Sequence, residues 1–423
     1  MYDLYTDLVE RGIIENTSSE KIKDLLNQQK IAFYAGYDPT FKSLQIGNLF
    51  AIVTMKRLQQ AGHRPIVLVG GATGMIGDPS GKNSERNLLD EETISANLCA
   101  QEKQLRKLLD FENPDCGAMV VNNYDWFKGM NLIHFLRDVG KSFRLSEMLA
   151  KDSVKSRLNS EVGISFTEFT YQILQAYDFV FLFKEHGALL QLGGSDQWGN
   201  ITAGIDLIRK TYQKEAYGLV IPLVTDSQGK KFGKSEGGTV YLDPEITSPY
   251  KMYQYLLNTE DSIVIKYLKY YSFLSLPEIA ELEHLTVSAP EKREAQKVLA
   301  REVTKYVHGE EGLLSAENAT KIFFGEKIGN TPASELLSIF MDVPSITLES
   351  SKIDAGINIL DLLSITPLYK SKGEARRAIA QNGVYINNDT LSNPELIIGK
   401  EHFIDGKLLI LRKGKKNYCL VSI

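Results

Sequence analysis

A lysine- and glycine-rich loop carries the sharpest chemical signature of this sequence. The segment TDSQGKKFGKSEGG (225–238) contains Lys230, Lys231, Lys234 and Ser235, and it follows an apolar run. Lysines flanked by glycines are typical of a mobile loop that closes over phosphate groups. A solvated basic turn has the same composition, so the loop alone does not decide the chemistry.

A second segment has the features of a nucleotide contact. PTFKSLQIGNLF (39–50) joins an apolar run to a pattern with helical periodicity, and Gly47 lies where that helix begins. A glycine lets a ligand approach the backbone closely. The unpaired N–H groups of the first helical turn attract phosphate. The two segments together therefore indicate a site for a phosphorylated ligand.

Three polar residues of FTYQILQAYDF (169–179) share one helical face. Tyr171, Gln175 and Asp178 follow one another at spacings of four and three residues. A phenol oxygen, an amide oxygen and a carboxylate are suitable acceptors for an ammonium group. Without further information, Asp178 could equally be a surface acid, and Tyr34 an ordinary strand aromatic.

The elements that must position these residues alternate in type. Short apolar runs predict buried strands at AFYAGYD (32–38), RPIVLVGG (64–71), AMVVNN (118–123), ALLQLGG (188–194) and LVIPLVT (219–225). Helical periodicity appears in GNLFAIVTMKRLQQAG (47–62) and GNITAGIDLIRK (199–210). Such alternation predicts an α/β fold with a parallel sheet that is covered on both faces. Ligands bind such sheets at the carboxyl ends of the strands.

The predicted architecture has three folded parts. Residues 1–246 form a Rossmann-like catalytic domain with a mainly helical insertion at about 125–186. Residues 247–340 form an all-helical domain. Residues 341–355 contain Pro and Ser without helical periodicity and are predicted to be a linker. Residues 356–423 form a small α+β module.

Composition and charge limit the function. The net charge is −5, but residues 356–423 carry +4 and the remaining 355 residues carry −9, so a basic module follows an acidic body. Chance variation in a short window could also give this asymmetry. The three cysteines and six histidines are scattered, which predicts neither disulfides nor a metal site. No signal peptide or membrane span is recognisable, so we expect a cytoplasmic protein.

The two ligand-binding segments resemble the signature motifs of class I aminoacyl-tRNA synthetases, usually written HIGH and KMSKS. They read QIGN at 45–48 and KFGKS at 231–235. Three further blocks are similar to bacterial tyrosyl-tRNA synthetases: GGATGMIGDPSGKNSER (70–86), FTYQILQAYDF (169–179) and LLQLGGSDQWGNITAGIDLIRK (189–210). The resemblance extends over essentially the whole chain.

This resemblance implies a two-step reaction, in which tyrosine and ATP give tyrosyl-adenylate and pyrophosphate, and tyrosine then passes to the 3′-terminal adenosine of its tRNA. It assigns tyrosine binding to Tyr34, Asp78, Tyr171, Gln175, Asp178 and Gln197. It assigns ATP binding to Gly36, Asp38, Gly47, Gly193, Asp196, Lys234 and Ser235. It assigns catalysis to Gln45, Asn48, Thr40, Lys82, Arg86, Lys231 and Lys234. ATP is expected with Mg²⁺, and no protein ligands to a metal are assigned.

The resemblance also implies contacts with RNA and with a second subunit. SKGEARRAIAQNGVYINN (371–388) is similar to a small RNA-binding module of a ribosomal small-subunit protein and pseudouridine synthases. The expected tRNA-binding residues are Arg209, Lys210, Lys372, Arg376 and Arg377, and the helical domain 247–340 is expected to bind tRNA as well. Residues 130–147 resemble the subunit contact of the family, which implies a homodimer. An intramolecular packing helix is the alternative there.

Gln45 and Asn48 depart from the family pattern, because both motif histidines are replaced. One alternative is therefore a non-catalytic RNA-binding protein derived from a synthetase. A second is adenylation of an acceptor other than tRNA, and a third is activation of tryptophan. The presence of Lys82, Lys231 and Lys234 argues against the first, the basic tail against the second, and the pair Tyr34 and Asp178 against the third.

Overall fold

The computed structural model describes residues 3–80, 89–158, 163–230, 232–235, 238–329, 331–340, 343–414 and 417–423. The chain divides into two compact units. The first comprises Met1–Asp243 and Thr259–Val303, and the second comprises Pro244–Asn258 and Thr304–Ile423. In the described part of the chain, no helix is both long and apolar enough to span a membrane.

The first unit is built on strands that alternate with helices. Its strands are β1 (Asn16–Thr17), β2 (Ala32–Tyr37), β3 (Arg64–Val69), β4 (Met119–Asn122), β5 (Ala188–Gly194), β6 (Tyr217–Ile221), β7 (Lys234–Ser235) and β8 (Gly238–Thr239). The helices up to residue 212 are α1 (Leu4–Glu10), α2 (Ile22–Gln28), α3 (Ile46–Gln60), α4 (Thr73–Ile76), α5 (Glu91–Leu108), α6 (Tyr124–Phe127), α7 (Leu132–Asp138), α8 (Leu145–Leu149), α9 (Asp152–Leu158), α10 (Phe166–His186) and α11 (Trp198–Tyr212).

Six of these strands form one sheet in the order β1-β6-β5-β2-β3-β4. All neighbours are parallel except β1 and β6. From β2 the chain moves outward through β3 to β4, and then returns to the other side of β2 as β5. This change of direction opens a crevice at the carboxyl ends of β2 and β5. The predicted α/β sheet is confirmed, and its five predicted strands are all present.

The sheet is buried on both faces, as expected for parallel strands joined by helices. In β3, five of six residues are buried. Against one face lies a core in which Tyr34 and Leu68 of the sheet pack with Phe179 and Leu182 of α10 and with Leu207 of α11. Burial of this apolar surface is the main force that holds α10 and α11 on the sheet.

Helix α10 carries the polar face identified in the sequence. Ser165 caps its start by accepting a hydrogen bond from the backbone N–H of Glu168. Gly187 ends the helix in the left-handed conformation, with φ of 66°. The helix is 21 residues long, and the spacing of Tyr171, Gln175 and Asp178 places these residues on one face of it. The predicted helical character of residues 125–186 is also seen in α6–α9.

The remaining helices are divided between the two units. They are α12 (Pro249–Leu257), α13 (Asp261–Tyr271), α14 (Leu276–Ser288), α15 (Glu294–Phe323) and α16 (Ala333–Ile339). α13 and α14 belong to the first unit, whereas α12 and α16 belong to the second. α15 is interrupted at Gly309, which has φ of 74° and ψ of −178°. Residues 247–340 are therefore helical but do not form one compact domain, because periodicity does not reveal which core each helix packs against.

The second unit contains a five-stranded sheet in the order β12-β11-β14-β15-β9. Its elements after α16 are β9 (Ser345–Thr347), α17 (Ser350–Asp354), β10 (Ile357–Asn358), α18 (Ile359–Ile365), α19 (Lys372–Ala380), β11 (Val384–Ile386), β12 (Asp389–Thr390), β13 (Ile397–Ile398), β14 (Leu408–Lys413) and β15 (Asn417–Ser422). A core on one side of this sheet joins Leu362 of α18 and Ile379 of α19 to Leu409 of β14.

The prediction of a linker at residues 341–355 is wrong for most of that segment. Residues 345–347 form β9, which pairs in parallel with β15, and residues 350–354 form α17. The segment is short and polar, but its backbone N–H and C=O groups are satisfied by the edge of a sheet distant in sequence. Local composition does not reveal such a long-range pairing.

Candidate active site

The crevice between β2 and β5 is open because glycines lie at the ends of both strands. Gly36 is exposed although β2 is a central strand of the sheet. At the end of β5, a Cβ on Gly193 would lie 3.1 Å from Ile201 and 3.2 Å from Gln197. A Cβ on Gly194 would lie 2.6 Å from a carboxylate oxygen of Asp196. Larger residues at these positions would crowd the crevice.

Tyr34 and Asp178 form one buried end of this site. Tyr34 is fully buried on β2, and its ring meets that of Phe179 edge-on at 5.1 Å between centroids. Within the described residues its hydroxyl group has no hydrogen-bond partner. Burial and the negative charge of Asp178 hold the pKa of Tyr34 well above its ordinary value. A buried hydroxyl without a partner is costly, and it indicates that a ligand group completes the pair.

The carboxylate of Asp178 is held by two donors. Nδ2 of Asn123 donates to Oδ2 at 3.1 Å, and Nε1 of Trp126 donates to Oδ1 at 2.9 Å. Burial raises the pKa of Asp178 to about 8, although both hydrogen bonds lower it. Desolvation disfavours the charged form more strongly than these two bonds favour it.

The polar residues two turns earlier on α10 form the other end. The hydroxyl of Tyr171 donates to Oδ2 of Asp38 at 2.9 Å. Burial, followed by the charge of Asp38, raises the pKa of Tyr171 well above its ordinary value. Because its proton is directed to Asp38, the Tyr171 oxygen retains a lone pair for an ammonium donor. Asp38, assigned to ATP by resemblance, therefore contacts a residue assigned to tyrosine.

A second network joins Asp78, Gln175 and Gln197. Nε2 of Gln197 donates to Oδ2 of Asp78 at 2.7 Å, and Nε2 of Gln175 donates to Oε1 of Gln197 at 3.3 Å. Asn200 donates to both glutamines, at 3.0 Å and 3.1 Å. The backbone of Ser80 donates to the other oxygen of Asp78. All six residues assigned to tyrosine therefore lie in the polar groups just described. Tyr34 lies beside Asp178, Tyr171 bonds to Asp38, and Asp78, Gln175 and Gln197 form the network.

The two signature segments lie side by side. The backbone N–H of Ile46 donates to the carbonyl of Val240 at 3.0 Å, and Gln45 forms a β-bridge with Tyr241. Gly233 has φ of 87°, and a Cβ there would lie 2.6 Å from Ile46. A Cβ on Gly47 would lie 3.7 Å from the carbonyl oxygen of Phe232. The backbone therefore holds the loop against the start of α3.

Gln45 and Asn48 occupy the cap of α3. The backbone N–H of Gln45 donates to Oδ1 of Asn48 at 3.0 Å, and the backbone N–H of Asn48 donates to the carbonyl of Gln45 at 2.8 Å. Both side chains are half-buried. The oxygen of Asn48 is thus engaged in capping, and its NH₂ group is the part that remains to meet a ligand. Thr40 is exposed at the mouth of the same crevice, after β2.

Several assigned cations lie beyond the described structure. Lys82, Arg86 and Lys231 fall outside the described residues. For Lys234 and Ser235 the backbone forms β7, which pairs with β8, while their side chains are not described. Within the described residues, no group of three or more His, Cys, Asp or Glu side chains could hold a metal ion.

The cations assigned to tRNA are mostly engaged with acids. Asp206 pairs with both Arg209 and Lys210, the latter at 2.6 Å. In the second unit Lys372 pairs with Asp361. The remaining contacts there are Arg376 with Glu395 at 2.8 Å and Arg377 with the carbonyl of Gly373 at 3.3 Å. All five side chains are on the surface, so these pairs are weak and can be exchanged for phosphates.

Sequence reasoning missed the residues that hold the assigned ones in place. Asn123, Trp126, Thr73 and Asn200 all donate or accept hydrogen bonds within the site. Two of them could have been recognised by their position in the sequence. Asn123 directly follows β4, and Thr73 follows the Gly-Gly-Ala segment after β3. Polar residues at the carboxyl ends of parallel strands are site candidates even when their partners are unknown.

Comparisons with known proteins agree with this geometry. Residues 26–325 match the family model described as tRNA synthetases class I (W and Y). Residues 335–421 match the model described as Tyrosine--tRNA ligase SYY-like C-terminal domain. The chain is 49% identical to "Tyrosine--tRNA ligase" of Roseiflexus castenholzii, over 100% of each chain. It is 50% identical to "Tyrosine--tRNA ligase" of Geobacillus stearothermophilus, over 99% of each.

The chain belongs to the class I tyrosine--tRNA ligase family.

A solved structure supports the family at the level of the fold. The C-terminally truncated mitochondrial tyrosyl-tRNA synthetase of Coccidioides posadasii is 32% identical, with a TM-score of 0.66. The similarity covers 75% of this chain and 91% of that one. The prediction that the chain is a class I aminoacyl-tRNA synthetase for tyrosine is confirmed. The alternative of a non-catalytic RNA-binding protein, which Gln45 and Asn48 suggested, is not supported, since full-length relatives at about half identity are ligases.

Proposed function

We propose that the crevice at the carboxyl ends of β2 and β5 is the site where this tyrosine--tRNA ligase forms tyrosyl-adenylate. The observation that carries this proposal is the buried Tyr34 hydroxyl without a partner, beside the buried carboxylate of Asp178. A tyrosine phenol placed there accepts a hydrogen bond from Tyr34 and donates one to Asp178. Phenylalanine would leave both groups unpaired, which is how such pockets reject an analogue without the hydroxyl.

The other end of tyrosine is assigned to the remaining polar groups. The ammonium group donates to Tyr171, Gln175 and Asp78. Gln197 lies beside the substrate carboxylate and is held by Asp78 through a 2.7 Å hydrogen bond. Because these groups already bond to one another, binding requires little reorganisation of the protein, and this preorganisation strengthens recognition.

Adenylate formation needs no covalent enzyme intermediate. The tyrosine carboxylate attacks the α-phosphorus of ATP in line, and negative charge accumulates on the departing pyrophosphate. Thr40, Lys82, Arg86, Lys231 and Lys234 are proposed to meet this charge. Catalysis is then positioning and electrostatic stabilisation. We propose that Mg²⁺ arrives bound to the ATP phosphates, since oxygen ligands from phosphates suit this ion.

ATP is proposed to lie over the glycines of both strands and the start of α3. Gly36, Gly47 and Gly193 leave room for the nucleoside, and Asp196 accepts from the ribose. Asp38 completes the crevice next to Tyr171. The amides of Gln45 and Asn48 donate toward the phosphates or ribose from the helix start, where the N–H groups attract anions. These donors take over the role of the two motif histidines but cannot become cationic.

The second half-reaction uses the basic face of the tail. Lys372, Arg376 and Arg377 lie on α19, and they are proposed to bind tRNA phosphates, together with Arg209 and Lys210 on α11. The acid partners seen for these side chains compete with phosphate only weakly, because the pairs are exposed. RNA binding through such contacts decreases with salt.

We propose a homodimer through the region 130–147. Its helix α7 exposes Leu132 by 67%, Ile133 by 65% and Leu136 by 51%. Clustered exposed apolar residues of this kind mark an interaction surface. Ile133→Asp is expected to convert the dimer to a monomer in analytical ultracentrifugation, while Val287→Asp, at an even more exposed apolar position on α14, leaves it dimeric. The dispersed free cysteines support a cytoplasmic location.

Activity is tested by tyrosine-dependent exchange of labelled pyrophosphate into ATP, because this assay needs no matching tRNA. We expect exchange with tyrosine and far slower exchange with phenylalanine or tryptophan. Comparable exchange with phenylalanine would remove the assignment of Tyr34 and Asp178. Exchange without subsequent charging of a bacterial tyrosine tRNA would assign the adenylation to another acceptor.

A further inference from the structure

A buried threonine joins the two ends of the proposed tyrosine pocket. Thr73 begins α4 and is 2% exposed. Its hydroxyl donates to Oδ1 of Asp38 at 2.9 Å. The hydroxyl oxygen of Thr73 also accepts a hydrogen bond from Nδ2 of Asn123 at 3.0 Å. Thr73 therefore touches one residue that bonds to Tyr171 and one that bonds to Asp178.

The direction of every hydrogen bond in this chain is determined. Oδ1 of Asn123 accepts from the backbone N–H of Ala72 at 2.7 Å, which fixes the orientation of the amide. The two Nδ2 protons then go to Thr73 and to Asp178. An amide NH₂ group only donates, so the Thr73 oxygen must be an acceptor toward Asn123. Its single proton is left for the carboxylate of Asp38.

The turn after β3 approaches Thr73 and Asp38 closely at Gly70. A Cβ on Gly70 would lie 2.2 Å from Oδ1 of Asp38 and 2.3 Å from Oγ1 of Thr73. The glycine lets the turn after β3 come close enough for the hydroxyl to reach Asp38. The backbone N–H of Gly74, in turn, donates to the carbonyl of Gly70 and closes the turn. Thr73 is thus placed by the backbone and not by a flexible side chain.

We propose that Thr73 is a positioning residue for tyrosine recognition, which orients Asn123 toward Asp178 and Asp38 toward Tyr171. This inference rests on the proposed tyrosine pocket. If the Thr73 hydroxyl is removed, one Asn123 proton loses its acceptor and Asp38 loses one of its donors. The Asn123 amide then keeps its hydrogen bonds with Ala72 and Asp178 but loses the third one, so the donor directed at Asp178 is held less firmly. The hydroxyl group of bound tyrosine is affected by this change through its hydrogen bond to Asp178, whereas phenylalanine has no hydroxyl group to be affected.

The test compares Thr73→Val with Thr73→Ser in pyrophosphate exchange. The valine variant keeps the shape but removes the hydroxyl, and the serine variant keeps the hydroxyl. We expect Thr73→Val to lower the ratio of kcat/KM for tyrosine over phenylalanine by about tenfold, since buried polar groups lose partners. Thr73→Ser should retain the ratio within about twofold, because both hydrogen bonds remain possible.

A second threonine provides a matched control. Thr54 is also fully buried, but its hydroxyl donates to the carbonyl of Phe50 within α3. Thr54→Val should leave the discrimination ratio unchanged. A merely structural role of Thr73 would lower the rates for tyrosine and phenylalanine equally, and that result would overturn the inference. Should the valine variant fail to fold, Thr73→Ala removes the same hydroxyl, and an unchanged ratio in the folded alanine variant would overturn the inference as well.

Asp178→Asn separates this inference from the proposed pocket. If Asp178→Asn lowers the discrimination ratio but Thr73→Val does not, only the positioning role of Thr73 is wrong. If neither substitution changes the ratio, the pocket is misassigned, and the role of Thr73 falls with it.

Discussion

The crevice of the first unit and the basic helix of the second, which we propose to bind tyrosine and tRNA, present their polar groups in opposite ways. In the crevice, Asp178 is 1% exposed and accepts hydrogen bonds from two side chains. On α19, the side chain of Arg376 is 58% exposed and pairs with Glu395, which is 64% exposed. Buried, mutually bonded groups give selectivity for a small molecule, because each unpaired group is costly. Exposed cations give salt-sensitive affinity for a polyanion without a large contribution from any single residue.

The largest expected effect comes from removing the buried carboxylate. Asp178→Ala should lower kcat/KM for tyrosine by about a hundredfold or more, since the substrate phenol, Asn123 and Trp126 all lose their acceptor. Pyrophosphate exchange measures this loss. Glu185→Ala, on an exposed part of the same helix, is the control and should behave like the natural protein. Equal losses in both variants would mean that the helix and not the pocket is affected.

The basic helix should respond to group removal and to salt. The triple substitution of Lys372, Arg376 and Arg377 by Ala should lower tRNA charging by about tenfold or more while adenylate formation is retained. The slope of log K for tRNA binding against log salt concentration should decrease in magnitude by roughly two to three. A triple substitution of Lys352, Lys400 and Lys407 in the same unit removes equal charge elsewhere. If both triple variants lower tRNA charging equally, the effect comes from net charge and not from the α19 surface.

Deleting the tail would be a less clear experiment than these substitutions. Leu408 and Leu420 of the tail sheet share a core with Phe340 and with Ile322 of α15. Arg412 donates to Asn388, which in turn donates to the carbonyl of Ile322. A cut near residue 350 would therefore expose apolar surface of the helices that remain, and a charging defect would have two causes.

The cap of α3 should show a tenfold effect. Gln45→Ala removes the proposed donor to the ATP phosphates and should slow single-turnover adenylate formation by about tenfold or more. Gln45→His should raise the rate or leave it level, since a donor is kept. Tyrosine affinity should change little in either variant. No detectable adenylate in the natural protein, with activity appearing only after histidines are installed at 45 and 48, would contradict this account of the helix cap.

A smaller effect is expected at Tyr34. Tyr34→Phe removes one of the two partners of the substrate phenol but leaves no other protein group unpaired. Discrimination against phenylalanine should fall by roughly fivefold to fifteenfold. Tyr37→Phe is a matched control on the same strand, because its buried hydroxyl contacts Sδ of Met55 at 3.4 Å. If Tyr37→Phe changes the discrimination as much as Tyr34→Phe, the effect comes from strand packing.

The smallest effect concerns the stability of the ligand-free protein. Burial raises the pKa of Asp178 from its ordinary value to about 8, so the folded protein binds this proton more tightly than the unfolded chain. The stabilising contribution is complete below about pH 4 and is lost as the pH rises through 8. Asp178→Asn should therefore be relatively more stable at pH 8 than at pH 5, measured as the difference in Tm from the natural protein. A difference independent of pH would show that the carboxyl group titrates normally.

Much of the fold and part of the site could be predicted from sequence. The five strands β2–β6 of the first unit were predictable because parallel strands are continuous apolar runs. Tyr171, Gln175 and Asp178 were predictable as one face because helical spacing is regular. The ligand of these residues was not predictable from spacing, since the same residue types also occur on a solvated helix face. The family resemblance indicated the ligand.

The residues that were not predicted depend on contacts between distant segments. Thr73, Asn123 and Asp178 meet only because β3, β4 and α10 come together in the fold. The pairing of β9 with β15 likewise joins segments about 75 residues apart, as in the register of Val421 with Ile346. The local composition around Ser345 or Asn123 does not indicate partners that are distant in sequence. Periodicity and propensity therefore could not predict these contacts.

The central claim is that the buried polar groups of the crevice select tyrosine before any chemistry occurs. Equilibrium dialysis of the natural protein with labelled tyrosine and labelled phenylalanine, without ATP or tRNA, tests it most directly. We expect tyrosine to bind at least about a hundredfold more tightly than phenylalanine, because only tyrosine pairs with both Tyr34 and Asp178. Equal affinity for the two amino acids would contradict the account.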